Sequence, residues 1–212
     1  MSYSPTYVQR ATIKQIENIW KKELFPNQWK QRDRWGEIYS TIKTKIPLNC
    51  SILDLGAGDE YIKKFQKHNR DYLSIDINGK CMLTHDFDYD LLDLWQYRAG
   101  GRPLPDGADR KTWRIGLCVE VLEYIKDPVR FVDHYMQYAS TWIFTSRVAR
   151  PDHIYEDHHP LQNRWRSHQE FINFFKQFNF SYVGGGAIET SLTTCSGKQK
   201  PFAMAVCEFT GR

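Results

Sequence analysis

Short apolar runs recur along the chain, separated by polar stretches in which apolar residues return every three or four positions. Several runs are apolar at successive positions, a pattern typical of strands that are buried on both faces of a parallel sheet. Seven strands are predicted, at residues 52–55, 72–77, 81–84, 113–119, 140–145, 180–183 and 202–209.

Helical segments lie between most of these strands, and two of them carry start signals. Pro128 stands at a first helical turn, and Ser167 with Glu170 forms a capping-box pattern. The order of elements predicts an α/β fold: a Rossmann-like, doubly wound, mostly parallel seven-stranded sheet. It ends in a C-terminal antiparallel hairpin, with glycines 184–186 marking a bend. The predicted helices are at 61–67, 91–95, 129–136 and 171–178.

The first part of the chain is predicted to be an N-terminal helical cap, residues 1–48, followed by one compact domain, residues 49–212. Apolar residues fall at helical spacing on both sides of Pro26. The tryptophans at this junction either fasten the helices to the sheet or, together with arginines, line the mouth of a site. Trp29, Arg32 and Arg34 are the candidates for that second role.

The first strand runs directly into a glycine-rich turn, ILDLGAG at residues 52–58. Strand, glycine turn and helix in this order bring bare backbone N–H groups to a ligand at the carboxyl end of the strand. Asp76 ends the second strand, 22 residues after Asp54. An acid about 20 residues beyond such a turn is placed to accept hydrogen bonds from ribose hydroxyls. A turn former or a helix cap is the alternative interpretation of Asp76.

Asp86 and Phe87 follow the predicted third strand. An acid beside an aromatic ring suits an adenine, because the carboxylate accepts from the exocyclic amine while the ring stacks. An acidic surface loop is the alternative. The connection between the second and third strands is only about residues 78–80, which is too short for a helix, so parallel pairing there needs an unusual crossover.

Four segments in order resemble class I S-adenosylmethionine-dependent methyltransferases of the small-molecule and glycan-tailoring type. These segments are ILDLGAG at 52–58, Asp76, the pair His85 and Asp86, and CVEVLEYIKDP at 118–128, with Tyr124 where the family commonly has His. The resemblance covers the chain from about residue 50 to residue 183.

The resemblance implies that S-adenosylmethionine binds against the glycine turn. Gly56 and Gly58 would let the backbone approach its methionine and ribose portion, and Asp54 would steady that loop. A dinucleotide oxidoreductase is the alternative for a glycine turn of this kind. Its fingerprint is G-x-G-x-x-G, and Tyr61 stands where the third glycine belongs, which disfavours that class.

The resemblance also implies roles for four further residues of the cofactor site. Asp76 would hold the ribose hydroxyls, and Asp86 with Phe87 the adenine. Glu120 would lie near the sulfonium, where a carboxylate suits a positive sulfur. The chain departs from the family in two places: Glu60 stands where a third glycine is frequent, and the helix between the second and third strands is nearly absent.

A polar segment after the fifth strand holds the candidate catalytic residues His153, His158 and His159. Methyl transfer needs a base only when the acceptor is a protonated amine or a hydroxyl. A segment at the carboxyl edge of the sheet is where such a base or a lid would lie. Two alternatives stay open, a polar surface loop and a divalent metal site shared with nearby carboxylates; no metal is assigned.

The acceptor is predicted to be a small molecule or a sugar-type compound, methylated on O or N, with an anionic group as one option. The candidate substrate residues are Trp29, Arg32, Tyr124 and Arg164, because arginine suits a phosphate or a carboxylate. Two alternatives are kept: an RNA methyltransferase, and a catalytically idle cofactor-binding or interaction protein on the same fold.

Composition limits the other classes of protein. The 212 residues are 41% hydrophobic and carry a net charge of +4, and no basic run of five residues occurs, so nucleic acid is not the expected partner. Five cysteines without a CxxC pair indicate neither a zinc site nor a disulfide framework, and Cys118 and Cys207 are expected in the core. With no signal peptide or run of eighteen apolar residues, we expect a cytoplasmic protein without a membrane partner; the oligomeric state stays open.

Overall fold

The computed structural model describes residues 32–58, 60–65, 71–77, 79–97, 102–103, 105, 112–148, 165, 167–188 and 202–209. Within these residues seven strands form a single sheet, in the order β3-β2-β1-β4-β5-β7-β6. The strands are β1 (Ile52–Leu55), β2 (Tyr72–Asp76), β3 (Leu83–Thr84), β4 (Trp113–Val119), β5 (Ala139–Arg147), β6 (Phe180–Ile188) and β7 (Phe202–Phe209).

Strand direction divides the sheet into two parts. The strands β1 to β5 pair in parallel, whereas β7 pairs antiparallel with both β5 and β6. This confirms the predicted mixed sheet with its C-terminal antiparallel hairpin. The strand order reverses at β1, which has β2 on one side and β4 on the other. In open α/β sheets ligands bind outside the carboxyl ends of the strands at such a reversal.

Four α-helices are described, and two of them begin at caps that the sequence signals. The Asp127 side chain accepts from the Arg130 N–H at 3.0 Å, and the Ser167 side chain accepts from the Glu170 N–H at 3.1 Å. Both bonds satisfy N–H groups that have no partner within the helix. The helices are α1 (Arg32–Lys43), α2 (Tyr61–Phe65), α3 (Pro128–Tyr135) and α4 (His168–Phe175), with 3-10 turns at Leu94–Gln96 and Met136–Tyr138.

Apolar side chains cover both faces of the sheet, which accounts for the continuous apolar runs in the strands. On one face Ile38 and Ile42 of α1 join a buried cluster with Ile115 and Ile143. The opposite face packs aromatic residues of α3 and α4 against the sheet, and this cluster includes Phe131, Trp142, Phe144 and Phe171. The described part of the predicted cap is therefore packed directly on the sheet. The domain boundary itself stays a prediction.

The predicted helix over 91–95 is wrong. Residues 91–93 have no regular secondary structure, and residues 94 and 95 belong to the 3-10 turn, whose N-cap is the extended Asp93. Tertiary hydrogen bonds replace helical ones: the Leu92 N–H donates to Tyr135 Oη at 3.0 Å, and His134 Nε2 bonds the Leu92 carbonyl at 2.8 Å. Contacts with α3 thus override a weak local helix preference.

The three glycines at 184–186 lie inside β6 and do not end the strand, so the prediction that the strand stops at residue 183 is wrong. A bulge between Tyr182 and Gly184 bends the strand without ending it. At Gly185 a Cβ would lie 2.2 Å from the Met204 carbonyl oxygen of β7. Close approach of the two backbones requires glycine at that position.

The third strand pairs in parallel with β2 although no helix connects the two strands. Its two residues align Leu83 with Ile75 and Thr84 with Asp76. The described part of the connection, residues 77 and 79–82, contains turns and bends, and the third strand is shorter than the predicted 81–84. Cys118 and Cys207 are fully buried, as predicted. None of the helices in the described ranges is long and apolar enough to span a membrane.

Candidate functional site at the carboxyl edge of the sheet

The glycine turn that follows β1 lies at the point where the strand order reverses. Gly56 and Gly58 both have left-handed backbones, with φ of +71° and +55°. The Gly56 N–H donates to the Ile75 carbonyl at 2.7 Å and the Ala57 N–H donates to the same oxygen at 3.2 Å. The turn is thereby fastened to the neighbouring strand β2, and glycine is favoured because L side chains rarely adopt this conformation.

Gly56 has a second, steric reason to be glycine. A Cβ on it would lie 2.2 Å from Cγ2 of Val121, which belongs to the turn after β4. A Cβ on Gly58 would meet nothing within 4 Å. The two glycines of the motif therefore differ: Gly56 is needed for close packing between two turns, and Gly58 only for its backbone conformation.

Asp76 ends β2 and holds the glycine turn from the side. Its Oδ2 accepts from the Gly58 N–H at 2.9 Å, and the residue is 8% exposed. A carboxylate that accepts from a backbone N–H is set in one orientation. The predicted ribose acid and the predicted glycine turn are therefore in direct contact, although 18 residues separate them in the chain. The role of Asp76 toward a ribose stays a prediction.

Asp54 lies beneath the turn, 3% exposed, and accepts a hydrogen bond from the Tyr72 hydroxyl. Burial raises the pKa of Asp54 to about 7, with further increases from the charges of Asp76 and Glu60, while the Tyr72 hydrogen bond lowers it. Burial also raises the pKa of the Tyr72 hydroxyl. Asp54 thus exchanges its proton close to neutral pH, in contact with the adjacent strand.

Glu60 closes the turn and is itself left-handed, with φ of +52°. Its carboxylate accepts from the Ser74 hydroxyl and forms an ion pair with Lys63 at 2.9 Å. Ser74 in turn accepts from the Met82 N–H at 3.0 Å. The residue that stands where the related family often has a third glycine is therefore held by side-chain contacts from β2 and α2.

Asp86 and Phe87, the predicted adenine residues, lie just after β3 but have different surroundings. Asp86 Oδ1 accepts from the Asp88 N–H at 3.0 Å, in a half-buried turn. Phe87 is buried, and its ring makes edge contacts with Phe131 at 5.2 Å and Tyr135 at 5.5 Å between centroids. Phe87 anchors this turn to α3. Its predicted role as a stacking surface for adenine stays a prediction.

Glu120 follows β4 directly, and its backbone is left-handed, with φ of +55°. Its N–H donates to the Thr145 carbonyl at 3.0 Å and lies 3.2 Å from Thr145 Oγ1. The residue is 7% exposed. A bulky residue in this conformation costs about 1–2 kcal/mol and persists only when its surroundings enforce it, and such positions cluster at functional sites.

Sequence reasoning did not assign Glu123, another buried acid of the same turn. Glu123 is 6% exposed, and its Oε2 accepts from Ser146 Oγ of β5 at 3.1 Å. Burial raises the pKa of the Cys118 thiol, and the charge of Glu123 raises it further. The available signal was a second acid three residues after Glu120 in a mostly apolar segment. Ser74, also unassigned, was visible as a polar residue inside an apolar strand run.

The remaining predicted residues are described in part or not at all. Tyr124 is half-buried beside the Glu120 turn, and its N–H donates to the Val121 carbonyl at 2.8 Å. Arg32 begins α1. The candidates Trp29, His153, His158, His159 and Arg164 lie outside the described residues. Among the residues that are described, no group of three or more His, Cys, Asp or Glu side chains is arranged to hold a metal ion.

The bare backbone N–H groups expected from the sequence are not found at residues 56–58, because Gly56, Ala57 and Gly58 each donate within the protein. The site as a whole combines two turns of left-handed backbone with acidic side chains. Two turns with left-handed residues meet at one edge of the sheet, and the acids Asp54, Glu60, Asp76 and Glu120 lie in or beside them. Such an edge can bind hydroxyl donors and stabilise a cation, because carboxylates accept hydrogen bonds and a partly buried site weakens solvent screening.

Solved structures share this fold. A chain described as a methyltransferase, in complex with the Haloferax volcanii activator Trm112, superposes with a TM-score of 0.60 at 15% identity, over 88% of this chain and 96% of that one. An S-adenosylmethionine-dependent methyltransferase from Mesorhizobium loti superposes with a TM-score of 0.56 at 13% identity, over 81% and 97%.

The same fold also carries other chemistry. The cyclase SpnF superposes with a TM-score of 0.55 at 11% identity, over 85% of this chain and 82% of that one. No protein-family profile and no curated protein sequence matches the chain. At these identities the likeness shows the fold alone: the chain has the class I fold of S-adenosylmethionine-dependent methyltransferases.

Proposed function

We propose that the protein is an S-adenosylmethionine-dependent methyltransferase that acts on a small-molecule or sugar-type acceptor. One observation carries the proposal: the left-handed turn at Gly56 and Gly58, whose Gly58 N–H is held by the carboxylate of Asp76. This arrangement brings a left-handed glycine turn and an acid to one edge, at the reversal of strand order. It fits a nucleoside with free ribose hydroxyls.

The chain's residues would divide the work of holding this cofactor. Gly56 and Gly58 leave room for it at the turn, Asp76 accepts from ribose hydroxyls, and Asp86 lies where the adenine amine is expected. Glu120 supplies negative charge on the opposite side. When bound, S-adenosylmethionine supplies a methyl group on a positively charged sulfur. The main tasks left to the protein are alignment of the two reactants and exclusion of water.

The acceptor side is formed by the turn after β4 and by the end of β5. Glu120, Glu123 and the half-buried Tyr124 lie in this turn. We propose that a hydroxyl or amine of the acceptor approaches here, and that one of His153, His158 and His159 removes its proton. An anionic group of the acceptor would meet Arg32 or Arg164.

Calorimetry with S-adenosylmethionine and with S-adenosylhomocysteine tests the cofactor assignment. We expect both compounds to bind, with a dissociation constant of about 1–100 μM, and D76N to weaken both. Loss of binding for both compounds in the wild-type protein would exclude the enzyme proposal. Transfer of a labelled methyl group into pooled small metabolites, with total RNA in a parallel reaction, then separates a small-molecule enzyme from an RNA methyltransferase.

A catalytically idle cofactor-binding protein is the second candidate. It is kept because the fold alone does not dictate methyl transfer, since a cyclase shares it. This candidate predicts binding of both compounds with no labelled product in any pool. Single His→Ala changes at 153, 158 and 159 sharpen the test, since unchanged turnover in all three would remove the proposed base.

A further inference from the structure

The short turn between β2 and β3 is tied to the glycine turn through a buried hydroxyl, that of Ser74. We propose, on the basis of the proposed function, that Ser74 is a positioning residue for the cofactor. Its hydroxyl couples Glu60 of the glycine turn to Met82 of the turn before β3, and so holds Gly58 in place against Asp76.

The Ser74 hydroxyl both donates and accepts a hydrogen bond. The oxygen accepts from the Met82 N–H at 3.0 Å, while the proton is donated to Glu60 Oε1. The side chain is fully buried. A serine hydroxyl has one proton to donate and can accept as well, so both bonds are made at once. Removal of the hydroxyl would leave a backbone N–H and a carboxylate each without this partner.

Ser74 is one of three residues on the same face of β2 whose side chains bond to β1 or to the glycine turn. Side chains alternate along a strand, so Tyr72, Ser74 and Asp76 share one face. Each of them bonds to β1 or to the glycine turn: Tyr72 donates to Asp54, Ser74 to Glu60, and Asp76 accepts from Gly58. Ser74 is the central one of these three residues.

The turn before β3 completes the arrangement. Cys81 Sγ lies 3.3 Å from the Gly58 carbonyl oxygen, to which the thiol donates. Gly58 is therefore held at both ends of its backbone, through its N–H by Asp76 and through its carbonyl by Cys81. Ser74 keeps residues 81 and 82 next to the glycine turn, because it bonds Met82 and Glu60 together.

This arrangement also accounts for two peculiarities of the chain. The connection between β2 and β3 has no helix, and Glu60 is a non-glycine residue with φ of +52°. A left-handed residue of this kind persists where tertiary contacts enforce it. Ser74 supplies such a contact, and the short connection brings Met82 within its reach.

The test compares Ser74→Ala with Ser51→Ala. Both serines accept a hydrogen bond from a backbone N–H, Ser74 from Met82 at 3.0 Å and Ser51 from Arg114 at 2.9 Å, but Ser51 precedes β1 at the opposite edge of the sheet. We expect S74A to raise the dissociation constant for S-adenosylhomocysteine about tenfold. S51A should leave it unchanged. Equal affinities of S74A and wild type would overturn the role of Ser74.

A second readout needs no cofactor. Loss of the tie should expose Cys81, so its alkylation by iodoacetamide, followed by peptide mass spectrometry, should be several-fold faster in S74A than in S51A. The fully buried Cys207 is the internal reference within each sample. Equal Cys81 rates in both variants would overturn the proposed tie. If the wild-type protein binds neither cofactor form, the proposed function fails, and the alkylation rates still decide whether Ser74 ties the two turns.

Glu60 provides a variant outside the buried strand should S74A fail to fold. E60A removes the acceptor of the Ser74 bond, whereas E60Q keeps an acceptor oxygen there. We expect E60A to weaken S-adenosylhomocysteine about as much as S74A does, E60Q to weaken it less, and the double variant S74A/E60A to be no worse than either single one. Wild-type affinity in E60A, or full additivity in the double variant, would contradict the proposal.

Discussion

Two turns meet at the carboxyl edge of the sheet, and they reach similar backbone conformations by different means. The turn after β1 has glycine at two of its left-handed positions, whereas the turn after β4 has a glutamate, Glu120, at its left-handed position. The first turn is held by hydrogen bonds from β2. The second is held by β5: the Glu120 N–H donates a hydrogen bond to Thr145, and the Ser146 hydroxyl donates one to the Glu123 carboxylate.

The two turns pack together at Gly56 and Val121, and only the second turn has a side chain at this contact. Val121 of the second turn occupies the space that a side chain on Gly56 would need. The first turn therefore has glycine at the point of contact. The second turn carries the acidic side chains of Glu120 and Glu123, and the backbone of Glu120 is strained by its left-handed conformation. We interpret the first turn as the surface that binds the cofactor and the second as the one that faces its reactive end.

The largest effect is expected at the contact between the two turns. In G56A the added methyl group would lie 2.2 Å from Val121 in a left-handed backbone. Overpacking and backbone strain together should lower the free energy of unfolding by about 4 kcal/mol. G58A, which has open space, should lose only about 1 kcal/mol. Urea unfolding measures both, and G56A/V121A should recover the steric part. Equal losses in G56A and G58A would contradict the distinction between the two glycines.

The next effect concerns pH and belongs to the first turn alone. The pKa of Asp54 is about 7 in the folded protein against an ordinary 3.8. Between these values the folded protein holds a proton that the unfolded chain releases, so this contribution to stability is complete below pH 4 and is lost as the pH rises through 7. The loss is on the order of 4 kcal/mol.

The variant D54N tests this pH dependence, because its amide oxygen can still accept from Tyr72 and it cannot ionise. We expect its stability to fall less between pH 4 and pH 8 than that of the wild type, by chemical unfolding at fixed ionic strength. The exposed acid Asp71, immediately before β2, offers the control D71N, which should keep the wild-type slope. Identical slopes for D54N and wild type would show that Asp54 is ionised throughout.

A smaller effect is expected where the second turn is fastened to β5. S146A removes a donor to the buried Glu123 carboxylate and should lower the free energy of unfolding by about 2 kcal/mol. E123Q keeps an acceptor for Ser146 and should lose less. Thermal and urea unfolding give the two values. A larger loss in E123Q than in S146A would mean that the charge of Glu123, more than its hydrogen bond with Ser146, stabilises the turn.

The smallest change in stability is expected at Glu120. E120G relieves left-handed strain but frees the unfolded chain, so the net change should stay below about 1 kcal/mol. N49G is the matched control, since Asn49 is left-handed and exposed away from this edge. On the proposed function E120G should weaken S-adenosylmethionine more than S-adenosylhomocysteine, because only the first carries the positive sulfur. Equal weakening of the two compounds would show that Glu120 does not stabilise the positive sulfur.

Much of the fold could be predicted because strand and helix periods are local. The run at 52–55, the glycines after it and the cap at Ser167 all appear in the structure as expected. The helix predicted at 91–95 failed because α3 supplies hydrogen bonds to Leu92 that outweigh local preference. Glycines 184–186 were misplaced because the same residue type suits a bend and a close approach between strands.

The candidate site could be predicted at the turn and at its acids, and not in the contacts that hold them. A left-handed glutamate at position 120 contradicts residue preference, so no local pattern signals it. The pairing of Glu123 with Ser146 joins residues 23 positions apart and depends on the register of β4 against β5. Phe87 was expected to present a face for stacking, and the structure places its ring against α3.

The sequence by itself determined the order of strands and helices, the glycine turn and the acid that follows it, because these depend on spacing along the chain. Only the tertiary structure decided that Val121 packs on Gly56, that Ser74 joins Glu60 to Met82, and that two turns with left-handed residues face each other. Such contacts join residues from different strands. Their partners are chosen by sheet register and packing, which spacing along the chain does not encode.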